Sequence, residues 1–235
     1  MLASLTLALV MQQSDLKIED TKPGTGDAIK QYDYVEVQYT GTLLNGKVFD
    51  SNMKPGAPPF RFQIGVGQVI KGWDFGFMGM KVGGERNLTI PPALAYGDRA
   101  MGDDIPANST LKFSVKLLRI VPAAKVTVMT EGKGDAIRLD QLLDCKLSIK
   151  LPGGKEIADP TKISRLQLGR RMRPWINQSV AGIKEGEKRK VIVNFEMAYG
   201  EKGDPPVDKD GVKAGSRVPP KADLTIEIEA VKIVG

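Results

Sequence analysis

The chain contains no histidine and only one cysteine, Cys145. Without imidazole, a zinc or iron site that uses histidine cannot be built, and neither can a serine–histidine or cysteine–histidine relay. Hydrolase chemistry of the usual kinds is thereby disfavoured. A single cysteine forms no internal disulfide, and Cys145 lies in an alternating segment where a buried thiol fits. Long apolar runs are also missing. The stretch Leu2–Met11 is apolar but too short to span a membrane as an ordinary helix, which needs about 20 residues. It has the length of a signal-peptide core, although no basic region precedes it and no clean small-residue cleavage motif follows. Export, with a bacterial periplasm as the favoured destination, therefore stands beside a short terminal helix or strand and a spurious or unstructured extension. A cytoplasmic location is the alternative.

What is present is a doubled pattern. Residues 79–97, from Gly79-Met80-Lys81-Val82-Gly83-Gly84-Glu85-Arg86 to Ala95-Tyr96-Gly97, recur 103 positions later as Gly182-Ile183-Lys184-Glu185-Gly186-Glu187-Lys188-Arg189 to Ala198-Tyr199-Gly200. Ile105-Pro106 to Phe113 recurs as Val218-Pro219 to Ile226. A repeat of this length means two related units of roughly 100 residues each, every one long enough for a modest core. We divide the chain into residues 1–16, an extension or signal segment, and units at 17–121 and 122–235. The formal charge of +6 sits mainly in the second unit, where 21 Lys or Arg face 16 Asp or Glu, against 13 and 11 in the first. Such a surplus could mean nucleic acid, an acidic membrane surface or solubility. No aromatic-interleaved basic stripe accompanies it, so nucleic acid is disfavoured as a partner.

Period-two alternation dominates the first unit. Leu16 and Ile18 open one strand, and Tyr34 to Tyr39 forms another with Val35, Val37 and Tyr39 on one face. Asn45-Gly46 supplies a tight hairpin turn, with Lys47 to Asp50 as the returning strand. Phe60 to Ile64, Arg86 to Pro91 and Thr110 to Ile120 resume the alternation. Only Gln68 to Phe77 differs: Val69, Ile70, Trp73 and Phe77 recur at helical spacing, while Gly72, Gly76 and Gly79 limit the helix to about two turns. A short apolar helix must lie against the concave face of the sheet.

Seven motifs, in order, cover nearly all of residues 17–121: Val37-Gln38-Tyr39-Thr40-Gly41, Gly46-Lys47-Val48-Phe49-Asp50-Ser51, Gln68-Val69-Ile70-Lys71-Gly72-Trp73, Gly83-Gly84-Glu85-Arg86, Ile90-Pro91-Pro92, Ala95-Tyr96-Gly97 and Ile105 to Phe113. Together they resemble the FKBP-type peptidyl-prolyl cis–trans isomerases. The resemblance implies an α+β fold of two FKBP-like domains, each an antiparallel half-barrel sheet wrapped around a short helix. It implies a prolyl pocket with Trp73 as floor and Tyr39, Phe49, Val69, Ile70 and Phe113 as walls, Phe60 adding another. Asp50 resembles the carboxylate at the pocket edge, Tyr96 the phenol that donates to a substrate carbonyl, and the Ile70 backbone a further polar contact. The partners implied are proline-containing polypeptides and macrolide inhibitors, with no cofactor and no metal. The sequence departs from the family at Met101, where many members have histidine, and at Asp104, which replaces a commonly apolar loop residue and makes the rim acidic.

From periodicity alone these aromatic residues are core and Asp50 is a turn carboxylate. The ordered motifs turn them into a pocket, with Phe62 remaining core. The rival to an isomerase is a non-catalytic chaperone or interaction module that uses the pocket for binding only.

In the second unit, Gly153-Gly154-Lys155 as hairpin places Leu147 opposite Tyr39, Ile157 opposite Phe49 and Ala158 opposite Asp50. The Trp73 position becomes Ile176, although Trp175 is adjacent and could substitute in part. Pro174 falls within the helix or just before its start. Tyr199 is retained, Ile226 replaces Phe113, and residues 201–216 form a longer, polar, Gly- and Pro-rich loop expected to be mobile. These losses predict a preserved fold without efficient proline turnover. Arg170, Arg171 and Arg173 form a basic cluster that reads either as a solvated surface or as a site for acidic client segments.

Overall fold

The alternating segments become eleven strands in a computed structural model that describes residues 15–200 and 218–235. The expected export segment and the polar 201–216 stretch lie outside the described residues. The chain divides into two units between Ile120 and Val121.

The first unit holds β1 (Lys17–Lys22), β2 (Tyr34–Leu43), β3 (Val48–Ser51), β4 (Phe60–Gln63), β5 (Glu85–Ile90) and β6 (Leu111–Val121), with an α-helix, α1 (Lys71–Gly76), and a 3-10 turn at Pro92–Leu94. The sheet order is β1-β5-β6-β2-β3, with β4 also paired to β2. Alternation decides which side faces inward: Val35, Val37 and Tyr39 of β2 meet Leu88, Ile90, Leu111, Phe113, Val115 and Leu117 of β5 and β6 in one core, which α1 closes with Trp73. Burying aliphatic or aromatic side chains of this size stabilises by about 1.5–3 kcal/mol each. The opposite face of β2 carries Glu36, buried between the guanidinium groups of Arg61 and Arg119 at 2.8 Å each. Burial alone disfavours its charge, but the two arginines outweigh that and hold its carboxyl below the ordinary range.

The helix is six residues long, shorter than the Gln68–Phe77 segment that its apolar spacing marks out. It lies so close to β5 that a Cβ on Gly72 would come within 2.3 Å of Ile90 Cγ2. Its C-terminal end is capped from the sheet: Arg86 Nη1 donates to the carbonyls of Gly76 (2.6 Å) and Met78 (3.2 Å), while Nε donates to Asp20 on β1 (2.6 Å). One buried arginine on β5 therefore joins the helix end to the edge strand β1.

The second unit repeats this plan with β7 (Lys125–Thr130), β8 (Leu142–Lys150), β9 (Ile163–Gln167), β10 (Lys188–Val193) and β11 (Leu224–Val234), in the order β7-β10-β11-β8-β9. Its helices are α2 (Pro174–Val180) and α3 (Phe195–Ala198). Pro174 is the first residue of α2, where its missing N–H costs nothing. Arg189 repeats Arg86, donating to the carbonyls of Ser179 (2.9 Å) and Ala181 (2.8 Å), with Glu187 in the role of Asp20. Cys145 is fully buried in β8, and burial pushes its thiol up to about 11, so it is a packing residue. Among the described residues no helix is long and apolar enough to cross a membrane.

Candidate functional site

Trp73 is the hub of the first unit's site. Its indole is 4% exposed, and Tyr39 and Phe113 stand edge-on to it with ring centres 5.1 Å away, Phe60 likewise at 5.9 Å. Edge-to-face packing of this kind suits aromatic quadrupoles and adds about 0.5–1.5 kcal/mol per pair beyond area burial. Phe49 extends the wall by packing edge-on against Phe113 at 5.6 Å. Phe62 and Phe77 lie against the indole at 5.3 and 5.1 Å and are essentially inaccessible, so they are core beneath the floor. Phe60 is 39% exposed and Phe49 half-buried, so the box opens on their side. Val69, Ile70 and Tyr96 pack against the same core. The nine residues singled out in the sequence therefore converge: eight through this core and its rings, and Asp50 through Tyr39. The indole Nε1 is buried without a hydrogen-bond partner among the described residues, so the floor presents rings and one unspent donor.

A bulge explains how neighbouring residues of β3 reach the same place. Successive side chains of a strand point to opposite faces. Here Gly41 pairs with Asp50 and Thr42 with Val48, so the register slips at Phe49. Phe49 turns to Phe113, and Asp50 accepts a 2.5 Å hydrogen bond from the Tyr39 hydroxyl. Gly41 permits this crowding: a Cβ there would lie 2.6 Å from Phe49 Cζ and 2.8 Å from Phe113 Cε1. Burial, and then the hydrogen bond to Asp50 and its charge, push the Tyr39 phenol well above its ordinary value. Tyr96 is raised by burial first and by Asp50 second. Both phenols are consequently neutral donors throughout the physiological range.

Two supports were not singled out in the sequence. Asn52 replaces strand pairing where β3 ends, accepting from Tyr39 N–H (2.7 Å) and donating to the Val37 carbonyl (3.0 Å). Asp74, on α1, accepts from the backbone N–H groups of Gly65 (2.8 Å) and Gly67 (3.1 Å), tying down the turn that leads into Val69 and Ile70. Desolvation raises the Asp74 pKa, and these two bonds oppose the shift. An acidic residue in a short helix beside a glycine-rich turn was the available signal. At the rim, Asp104 forms a 2.9 Å ion pair with Lys47 of the hairpin, so it is not the bare acidic rim that the sequence suggested. Met101 is exposed and bridges to Ile105. Among the described residues no cluster of three or more Cys, Asp or Glu side chains is arranged to hold a metal.

The second unit's counterpart is differently filled. Ile70 and Arg173 precede their helices as N-caps, which puts Ile176 in the place of Trp73 and Trp175 in that of Gly72. Asn177 confirms the register, since it accepts from Gly169 N–H as Asp74 does from Gly65. Trp175 is thus turned about 100° around the helix from a floor position and is a core residue, 3% exposed. The hairpin register also holds, with Leu151 N–H to Lys155 carbonyl repeating Leu43 to Lys47. It sets Leu147, Ile157 and Ala158 opposite Tyr39, Phe49 and Asp50. It also places Ile149 at the position of Gly41, paired with Ile226. A side chain now occupies the crowded spot that glycine left open. Tyr199 is kept, but Arg173 lies over its ring, Cζ 4.3 Å from the centre.

The family model described as FKBP-type peptidyl-prolyl cis-trans isomerase matches residues 26–118 and again residues 134–231. The chain is 61% identical over 103 residues to FK506-binding protein 4 of Chaetomium thermophilum, covering 44% of this chain and 21% of that protein. It is 57% identical over 91 residues to FK506-binding protein 2 of Dictyostelium discoideum, covering 39% of this chain and 68% of that protein. Among solved structures, the crystal structure of AtFKBP13 is 41% identical and covers 46% of this chain and 94% of its own, with a TM-score of 0.43. The chain spans about a fifth of the length of FK506-binding protein 4 from Chaetomium. One matched range falls within each unit, and the chain belongs to the FKBP-type peptidyl-prolyl cis-trans isomerase family.

Proposed function

We propose that the first unit isomerises Xaa-Pro bonds of flexible or unfolded polypeptides, assisting their folding, and that the second unit does not turn over proline. The observation that carries this reading is the aromatic box on Trp73, open beside Phe60 and Phe49 and edged by the Tyr39–Asp50 pair. Rotation about a peptide bond must break amide resonance, a barrier of about 18–20 kcal/mol. The twisted transition state has less carbon–oxygen charge separation than either planar form, so an apolar box penalises it less. The ring packs on Trp73 between Tyr39, Phe60 and Phe113 while the preceding carbonyl turns. Tyr96 donates to the chain as the twist develops, which is differential binding of the transition state. Asp50 orients Tyr39 and shapes the local field; no proton is transferred.

The names of the relatives attach FK506 to those proteins. We extend this to the box here, which takes such a macrolide in competition with proline.

The test is proline-limited refolding of a model substrate by the full chain, beside Trp73→Leu and Tyr96→Phe variants. Acceleration that the macrolide blocks and the variants reduce is expected. A chain that binds proline peptides yet leaves refolding unaccelerated is a binding module, and the isomerase reading fails.

A further inference from the structure

We propose that the second unit has exchanged its prolyl pocket for a site that binds acidic, extended polypeptide segments, with Arg173 and Arg171 as the gripping residues. This goes beyond the absence of turnover and does not depend on isomerisation by the first unit. The positions that hold Ile70 and Tyr96 in the first unit hold Arg173 and Tyr199 in the second. Arg173 Cζ lies over the phenol ring, 4.3 Å from its centre. A guanidinium held there offers its N–H fork to a carboxylate, which accepts two parallel bonds.

The sequence flanking Arg173 is selectively cationic. Residues 160–184 contain six Lys or Arg and no Asp or Glu. Arg165 is neutralised by Asp144 through two bonds of 2.6 and 2.8 Å, and Lys162 by Asp159 at 3.4 Å. Arg171 and Arg173 make no ion pair among the described residues. Arg171 also lines a shallow cleft of about 260 Å³ with Arg170, Gln167 and Asp140, whose carboxylate is the one acidic group there. The Tyr199 face under the guanidinium is already covered, so it gives no platform for a stacked base, as single-stranded nucleic acid requires. Carboxylates along a peptide fit the site better.

Fluorescence anisotropy with the full chain and a short, proline-free Glu/Ser peptide tests the proposal. Affinity should fall about tenfold in R171A/R173A, and R173K should fail to restore it because lysine lacks the fork. K188A/K190A, which removes equal charge from β10, should leave binding unchanged. Both arginines are exposed, and unaltered thermal melting of the second unit checks that each variant is folded. Peptide binding that is absent, indifferent to R171A/R173A, or equally weakened by K188A/K190A overturns the proposal. So does tighter binding of a thymidine oligonucleotide than of the peptide. If the wild-type chain proves inactive on proline, the anisotropy result still stands by itself.

Discussion

At the scale of single residues, ionisation states around the box are set by burial and by one carboxylate. Tyr39 and Tyr96 are both raised above the ordinary phenol value of 10.0, so they stay protonated donors up to and beyond it. With no histidine in the chain, isomerase turnover should be flat between about pH 6 and pH 9, as read by a coupled peptide assay. A titration step inside that window would contradict the assigned donors. Asp74 works through the turn it ties. In Asp74→Asn, one amide oxygen still accepts from Gly65, but an NH2 group faces the Gly67 N–H. Stability should fall by about 1–2 kcal/mol in denaturant titration, with a several-fold loss of kcat/KM. Because burial raises the Asp74 pKa, its contribution favours the fold below the usual carboxylate value of 3.8 and is lost as pH rises through the raised value. That pH-dependent component should vanish in the variant. Trp73, Tyr39, Asp50 and Phe113 were recognisable in the sequence because motif order names them. Asp74 and Asn52 were not, since their partners are backbone groups whose positions depend on how the chain turns.

At the scale of elements, the β2–β3 pair is the critical construction. Its bulge delivers Phe49 and Asp50 to the same opening, and Gly41 leaves room for them. Gly41→Ala should push Phe49 and Phe113 apart, costing about 1–3 kcal/mol and reducing turnover at least tenfold, measured by chemical denaturation and the peptide assay. Retained activity would mean that the rings relax freely. The edge strand β1 is held differently, through Asp20 on Arg86. Its pKa is lowered chiefly by the hydrogen bond to Arg86, so the stabilisation is present above the ordinary carboxylate pKa and fades as pH falls through the lowered value. Amide exchange should show β1 losing protection on acidification before β5 and β6 do. Alternation and turn residues identified these strands in the sequence because both are local steric preferences. The register slip at Phe49 was hidden, because a bulge is a property of two strands together.

At the scale of the whole molecule, a single scaffold occurs twice with unequal contents. Arg86 and Arg189 cap their helices in the same way, and Asp74 and Asn177 each hold a glycine N–H, so the framework persists where the pocket does not. Trp175→Ala should remove about 3–5 kcal/mol from the unfolding of the second unit, seen by calorimetry, while isomerase turnover remains that of the parent chain. Loss of turnover would show that the first unit depends on the second. The repeat, the strand alternation and the one-sided distribution of aromatic residues follow from the amino-acid order alone, because periodicity and turn chemistry act between near neighbours. That Trp175 belongs to core rather than floor, that Ile149 fills the place Gly41 leaves open, and that Arg173 covers Tyr199 was decided only by the tertiary structure. Those outcomes depend on helix rotation, strand register and contacts between residues distant in the chain, where one position's shift turns a side chain to another face.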